Sequence, residues 1–133
     1  MRVFLDTHSM IAMINILEPA HEAVSAYLAG YRGKIVTTEC VLLEFADALA
    51  HPSARLSAVA AIHRLRKDPQ FEIVPHDAAI NHAGLDLYAK RPDKEWALTD
   101  CISFAVMTAR GLTEALTADH HFEQAGFKAL FKN

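Results

Sequence analysis

Four short apolar runs, each cut off abruptly and each separated from the next by helical patterns, constrain this chain more than any other feature. Arg2-Val3-Phe4-Leu5 stops at Asp6-Thr7-His8-Ser9, and Lys34-Ile35-Val36-Thr37-Thr38 follows Gly33. Phe71-Glu72-Ile73-Val74 stops at Pro75, and Ala115-Leu116-Thr117-Ala118 ends at Asp119. Runs this short and this rich in β-branched and aromatic residues read as buried strands. The segments between them carry apolar residues at helical spacing. Met10 to Leu17 is closed by Glu18-Pro19, His21 to Ala29 by Gly30, and Glu39 to Ala50 carries Val41, Leu42, Phe45, Ala48 and Leu49. Ser53 to Lys67, His76 to Lys90 and a helix opened by Thr99-Asp100 and closed by Gly111 complete the set, with Arg91 to Lys94 as a loop. Thr7 or Ser9 is the expected cap of the first helix and Thr38 that of the third. His120 to Ala125 reads as a short helix broken by Gly126, before a fifth strand over Phe127 to Leu130.

Strands alternating with helices imply an α/β domain whose parallel sheet is covered on both faces. In such sheets chemistry sits beyond the carboxyl ends of the strands, which is where Asp6 and Asp119 fall. At 133 residues the chain suits one domain with a core that needs no staples. Cys40 and Cys101 form neither a CxxC pair nor a disulfide framework, which excludes a zinc ribbon and points to a reducing, cytoplasmic setting. The most apolar early stretch is too short to span a bilayer, so no membrane association is expected. With 13 Lys plus Arg against 16 Asp plus Glu, the formal charge is −3 and no global basic field draws in nucleic acid. A polyanion must therefore meet a local patch. Arg55, His63, Arg64, Arg66 and Lys67 form one candidate, and Lys90, Arg91 and Lys94 another.

Four acids break the pattern around them: Asp6, Asp119, Asp100 in a first helical turn, and Glu44 among Val41, Leu42, Leu43 and Phe45. Asp100 and Asp119 also suit plain helix caps, and Glu44 suits an exposed helix position. Taken together, converging carboxylates repel and raise one another's pKa unless a divalent cation neutralises them. Oxygen-only ligands select a hard ion, Mg²⁺ or Mn²⁺, which can support displacement at a phosphodiester, so nuclease chemistry is the natural product of such a site.

The ordered series of motifs resembles the prokaryotic PIN-domain ribonucleases of the VapC toxin type over nearly the whole chain. It is carried by Val3 to Thr7 with Ile11-Ala12, by Thr37-Thr38 with Val41 to Glu44, by Asp93 to Ala105, and by Leu116 to Phe127. The resemblance implies a PIN-like three-layer α/β/α domain over residues 1–133, with a four- or five-stranded parallel sheet. It also implies that Asp6, Glu44, Asp100 and Asp119 form the catalytic and metal-binding cluster, with Mg²⁺ or Mn²⁺ as cofactor. Thr7, Thr99, Ser103 and Thr117 match polar positions that support those acids. The implied activity is cleavage of single-stranded or loop RNA by a homodimeric toxin held in check by a small antitoxin protein. The same domain also serves in RNA processing, and a partner-dependent RNA-binding module is the alternative of a different class. One departure is His8, where many relatives carry a small residue; it is expected to face solvent. The same residue argues against a haloacid dehalogenase, which wants a second acid two residues after the first. Trp96, Phe104, Phe122 and Phe127, like Met10, Met13 and Met107, read as core rather than as base-stacking groups. His120-His121 suggests a transition-metal ligand pair, but adjacent side chains on a helix are expected to diverge, which argues against it.

Overall fold

The computed structural model describes residues 1–132. Its elements in chain order are β1 (Arg2–Leu5), α1 (Thr7–Ile14), α2 (His21–Gly30), β2 (Lys34–Thr38), α3 (Glu39–Ala48), α4 (Arg55–Lys67), β3 (Phe71–Val74), α5 (Ala78–Lys90), α6 (Leu98–Ala109), β4 (Glu114–Leu116), α7 (His120–Gln124) and β5 (Lys128–Ala129). All five strands pair in parallel, in the order β3-β2-β1-β4-β5. The chain therefore builds outward from β1 to β3, then returns to the other side of β1 to lay down β4 and β5. This reversal makes the β1/β4 boundary the switch point of the sheet, where loops diverge and leave a crevice.

Alternation along the strands sorts two cores. Val3 and Leu5 of β1 and Ile35 of β2 face a cluster with Met10, Leu42, Phe45, Ala58, Ala61 and Leu65, drawn from α1, α3 and α4. Phe4 and Val36 point the opposite way, toward Trp96, Cys101, Phe104, Met107 and Phe122 around α6 and α7. Burying each such side chain stabilises the fold by about 1.5–3 kcal/mol. Trp96, Phe104 and Phe122 are buried as expected, Phe127 is half-buried against the same cluster, and Phe104 packs edge-on against Trp96 at 5.1 Å and Phe122 at 4.9 Å. Met10 and Met107 are likewise core, while Met13 is half-buried. Phe104→Leu is expected to cost about 1–2 kcal/mol in chemical denaturation, because it removes both edge-to-face contacts and some volume.

Several boundaries differ from the sequence reading, β4 ending at Leu116 rather than Ala118 and β5 spanning Lys128–Ala129 rather than Phe127 to Leu130, and for α1 the reason is identifiable. Neither Thr7 nor Ser9 caps α1; Asp6 stands at the cap position, but its carboxylate makes no capping bond because it is engaged elsewhere. The helix runs earlier than expected, Thr7–Ile14, and Asn15 turns the chain well before Pro19. Thr38 does cap α3, accepting from the Val41 amide at 3.0 Å, and Asp77 caps α5. Gly111 ends α6 with φ +68°, the left-handed conformation expected there. Gly84 has a separate role: a Cβ at that position would run into Ile102, so its absence lets α5 pack closely on α6. Both cysteines are free thiols. Among the described residues no helix is long and apolar enough to cross a membrane.

Candidate active site

The register between β1 and β4 places Leu5 opposite Leu116, so the residues that follow, Asp6 and Thr117, leave the sheet side by side at its carboxyl edge. The Thr117 hydroxyl, fully buried, donates to Asp6 Oδ2 at 3.0 Å and accepts from the Asp119 amide at 3.0 Å. One side chain thus ties the ends of two strands together and fixes the Asp6 carboxylate. Asp119 is the cap of α7, accepting from the His121 amide at 2.9 Å. Asp100, in the first turn of α6, accepts from the Ala97 amide at 3.0 Å. Glu44 projects from α3 as an exposed residue and accepts a short hydrogen bond from the Thr7 hydroxyl of α1.

The charges of these acids act on one another. Burial pushes the Asp6 carboxyl up to about 7; hydrogen bonds from Thr117 and the Thr7 amide oppose this, and the charges of Asp100 and Asp119 reinforce it. Burial also raises Asp100, against the bond from the Ala97 amide, with Asp119 and Glu44 adding to the rise and His121 opposing it. The structure therefore brings all four predicted acids into one electrostatic neighbourhood. Among the described residues none of them forms an ion pair with a lysine or arginine. A buried carboxylate without a cation is costly. The donor set, four carboxylates with no sulfur or amine, fits a hard divalent cation that would remove this cost.

Of the four supporting hydroxyls expected from the sequence, Thr7 and Thr117 contact the acids directly. Thr99 is half-buried beside Asp100 and Ser103 is buried one turn further along α6; among the described residues no hydrogen bond joins either to an acid. His8 faces solvent, 4.0 Å from Glu18. The basic patches are partly spent on local pairs: Arg66 makes a bidentate contact with Glu39, Lys90 pairs with Asp86, and Arg91 with Asp93.

Sequence reasoning set His121 aside, and the structure places it against the acids. Its Nδ1 stands 3.6 Å from Asp100 and 3.5 Å from Asp119, and its ring lies beside that of His120, centroids 4.4 Å apart. The two rings do not diverge, because both residues open a helix of five residues and their side chains lean back over the cap. The signal was present in Asp119-His120-His121, where a capping acid precedes the two imidazoles.

Comparison with known proteins agrees with this architecture. The VapC20 23S rRNA-specific endonuclease of Mycobacterium tuberculosis is 26% identical over 125 residues, covering 94% of this chain and 95% of the relative. The crystal structure of that protein, described as a sarcin-ricin loop cleaving toxin, superposes with a TM-score of 0.86 at 25% identity, covering 94% of this chain and 95% of the other. FitAcB from Neisseria gonorrhoeae shares the fold, with a TM-score of 0.69 at 23% identity, covering 97% and 95% of the two chains. The PIN domain family model matches residues 3–128. That span takes in every element that positions the four acids, and the chain belongs to the PIN domain family.

Proposed function

We propose that this protein is a metal-dependent endoribonuclease hydrolysing RNA phosphodiester bonds, and that it acts as the toxin of a toxin-antitoxin pair. The observation that carries this reading is that Asp6 and Asp119, beyond the ends of β1 and β4, share one electrostatic neighbourhood with Asp100 of α6 and Glu44 of α3 at the sheet's switch point, with no lysine or arginine paired to them among the described residues. The relatives' descriptions, a 23S rRNA-specific endonuclease and a sarcin-ricin loop cleaving toxin, favour an RNA loop as the substrate class. A small antitoxin protein and a second copy of the chain are the partners this reading implies, in a cytoplasmic setting.

In this proposal Asp6 and Asp100 hold Mg²⁺ or Mn²⁺ directly, and Glu44 and Asp119 do so directly or through water. The chemistry such an ion would supply there is activation of water and stabilisation of charge on the leaving oxygen. Thr117 positions Asp6 by its hydrogen bond and braces the Asp119 turn. Thr7 orients Glu44 across the gap between α1 and α3, and Thr99 and Ser103 support the α6 turn that carries Asp100. Thr117→Val keeps the shape but deletes both hydroxyl bonds. It is expected to lower cleavage about 10–100-fold and to cost about 1–3 kcal/mol of stability, with Thr117→Ser recovering most of each in parallel rate and melting measurements.

The test is to incubate wild type and Asp100→Asn with a mixed RNA pool containing rRNA, in Mg²⁺, Mn²⁺ or EDTA, and to map the new ends. Metal-dependent cutting at few sites by the wild type alone is the expected result. No cutting by folded, metal-bound wild type would overturn the reading in favour of a partner-dependent RNA-binding module.

A further inference from the structure

We propose that Asp119, His120 and His121 form a second site, for a borderline transition cation of the Zn²⁺ class, at the rim of the acidic cluster. One donor atom from each of the three lies within 4.8 Å of the others. Nδ1 of His121 and Nδ1 of His120 stand 3.5 and 3.7 Å from Asp119 Oδ1. Tetrahedral coordination with bonds of about 2.0–2.1 Å places neighbouring donors roughly 3.3–3.4 Å apart, close to both Asp119–imidazole separations. The two imidazoles set this site apart from the all-oxygen cluster beside it: nitrogen donors suit Zn²⁺, Ni²⁺ or Cu²⁺ and are poor ligands for Mg²⁺.

The surroundings favour binding. His120 is largely exposed, its side chain 60% accessible, and so opens the site to solvent, while His121 is mostly covered, at 20%. The bond from the His121 amide to Asp119 Oδ1 already holds the carboxylate toward the rings. Asp100 Oδ2, 3.6 Å from His121 Nδ1, adds negative charge on the inner side. Asp119 is shared by both donor sets, so a cation held by the histidines draws that carboxylate away from Asp6 and Asp100. Zinc should therefore inhibit Mg²⁺-supported cleavage. The inhibition rests on the nuclease reading; the binding site does not.

The decisive measurement is calorimetric titration of Zn²⁺ into metal-free wild type, His120→Ala and Asp6→Asn, with visible absorption of the Co²⁺ form reporting imidazole ligation. His120→Ala is expected to weaken Zn²⁺ binding about tenfold or more and to remove the Co²⁺ bands, while Asp6→Asn retains both. In the absence of zinc, His120→Ala should match wild type in Mg²⁺-supported cleavage and should resist added zinc. Unchanged Zn²⁺ affinity in His120→Ala, or loss of it in a folded Asp6→Asn, would overturn the site; the second result would put zinc in the acidic cluster. If wild type cuts no RNA, the titrations still decide whether the site exists.

Discussion

Asp6→Asn should abolish RNA cleavage, by at least about a thousandfold, and at the same time raise the thermal stability of the metal-free protein at pH 8. The two effects share one cause. Asp6 is 8% exposed, and its carboxyl is pushed up to about 7 by burial, with the charges of Asp100 and Asp119 adding to the rise. In the unfolded chain the same group titrates near 3.8. Between those values the folded state holds the extra proton, so the contribution of Asp6 to stability is greatest in acid, falls as pH rises from about 4 to about 7, and stays low above that. At pH 8 the accumulated cost is at most about 4 kcal/mol. Asparagine removes the charge yet still accepts from Thr117, so most of this cost disappears while the ligand for a cation is lost. Thermal melts in EDTA at pH 4.5 and pH 8, with cleavage assays alongside, check both halves. A variant less stable than wild type at pH 8 in EDTA would mean that Asp6 is not a stranded charge, and retained cleavage would remove it from the catalytic set.

What the sequence disclosed about this site follows from what a pattern can encode. An apolar run that ends at an acid marks a strand and the edge it leaves from, so Asp6 and Asp119 were legible as residues of the carboxyl edge. Asp100 was legible as a first-turn acid, and it is one: it accepts the Ala97 amide while belonging to the cluster. Periodicity does not say which strands are neighbours, and the β1/β4 pairing is what sets Thr117 against Asp6, 111 residues away in the chain. The Thr7 contact with Glu44 and the Arg66 contact with Glu39 are long-range in the same sense. The latter takes a basic residue counted toward a phosphate-binding patch and spends it on an internal pair. Helix ends were the least legible. Cap chemistry depends on where a carboxylate is turned, and Asp6 is held by the Thr117 hydroxyl and makes no capping bond to α1.

Adding Mg²⁺ or Mn²⁺ to wild type should reverse the sign of its pH dependence. Without the ion, protonation of Asp6 favours the folded state; with it, the ionised cluster is the binding form, and stability rises with pH. At pH 8 and an ion concentration about a hundredfold above the dissociation constant, binding adds about 2.7 kcal/mol, a shift of about 10 °C in Tm for a domain of this size. Below about pH 7 the ion must displace the Asp6 proton, so its affinity should fall by up to about tenfold per pH unit and the thermal shift should shrink with it. Melting wild type, Asp6→Asn and Asp100→Asn across pH 5.5 to 8, with each ion and with EDTA, measures the effect directly. Both variants should lose the shift, since each deletes an anionic oxygen the cation requires. Burial and the mutual charge of Asp6, Glu44, Asp100 and Asp119, none of which pairs with a lysine or arginine among the described residues, leave protons or a cation to offset the cost of ionising the cluster. A wild type whose Tm at pH 8 is indifferent to both ions would mean that protons alone do so, and the hard-cation assignment would fall with the catalysis built on it.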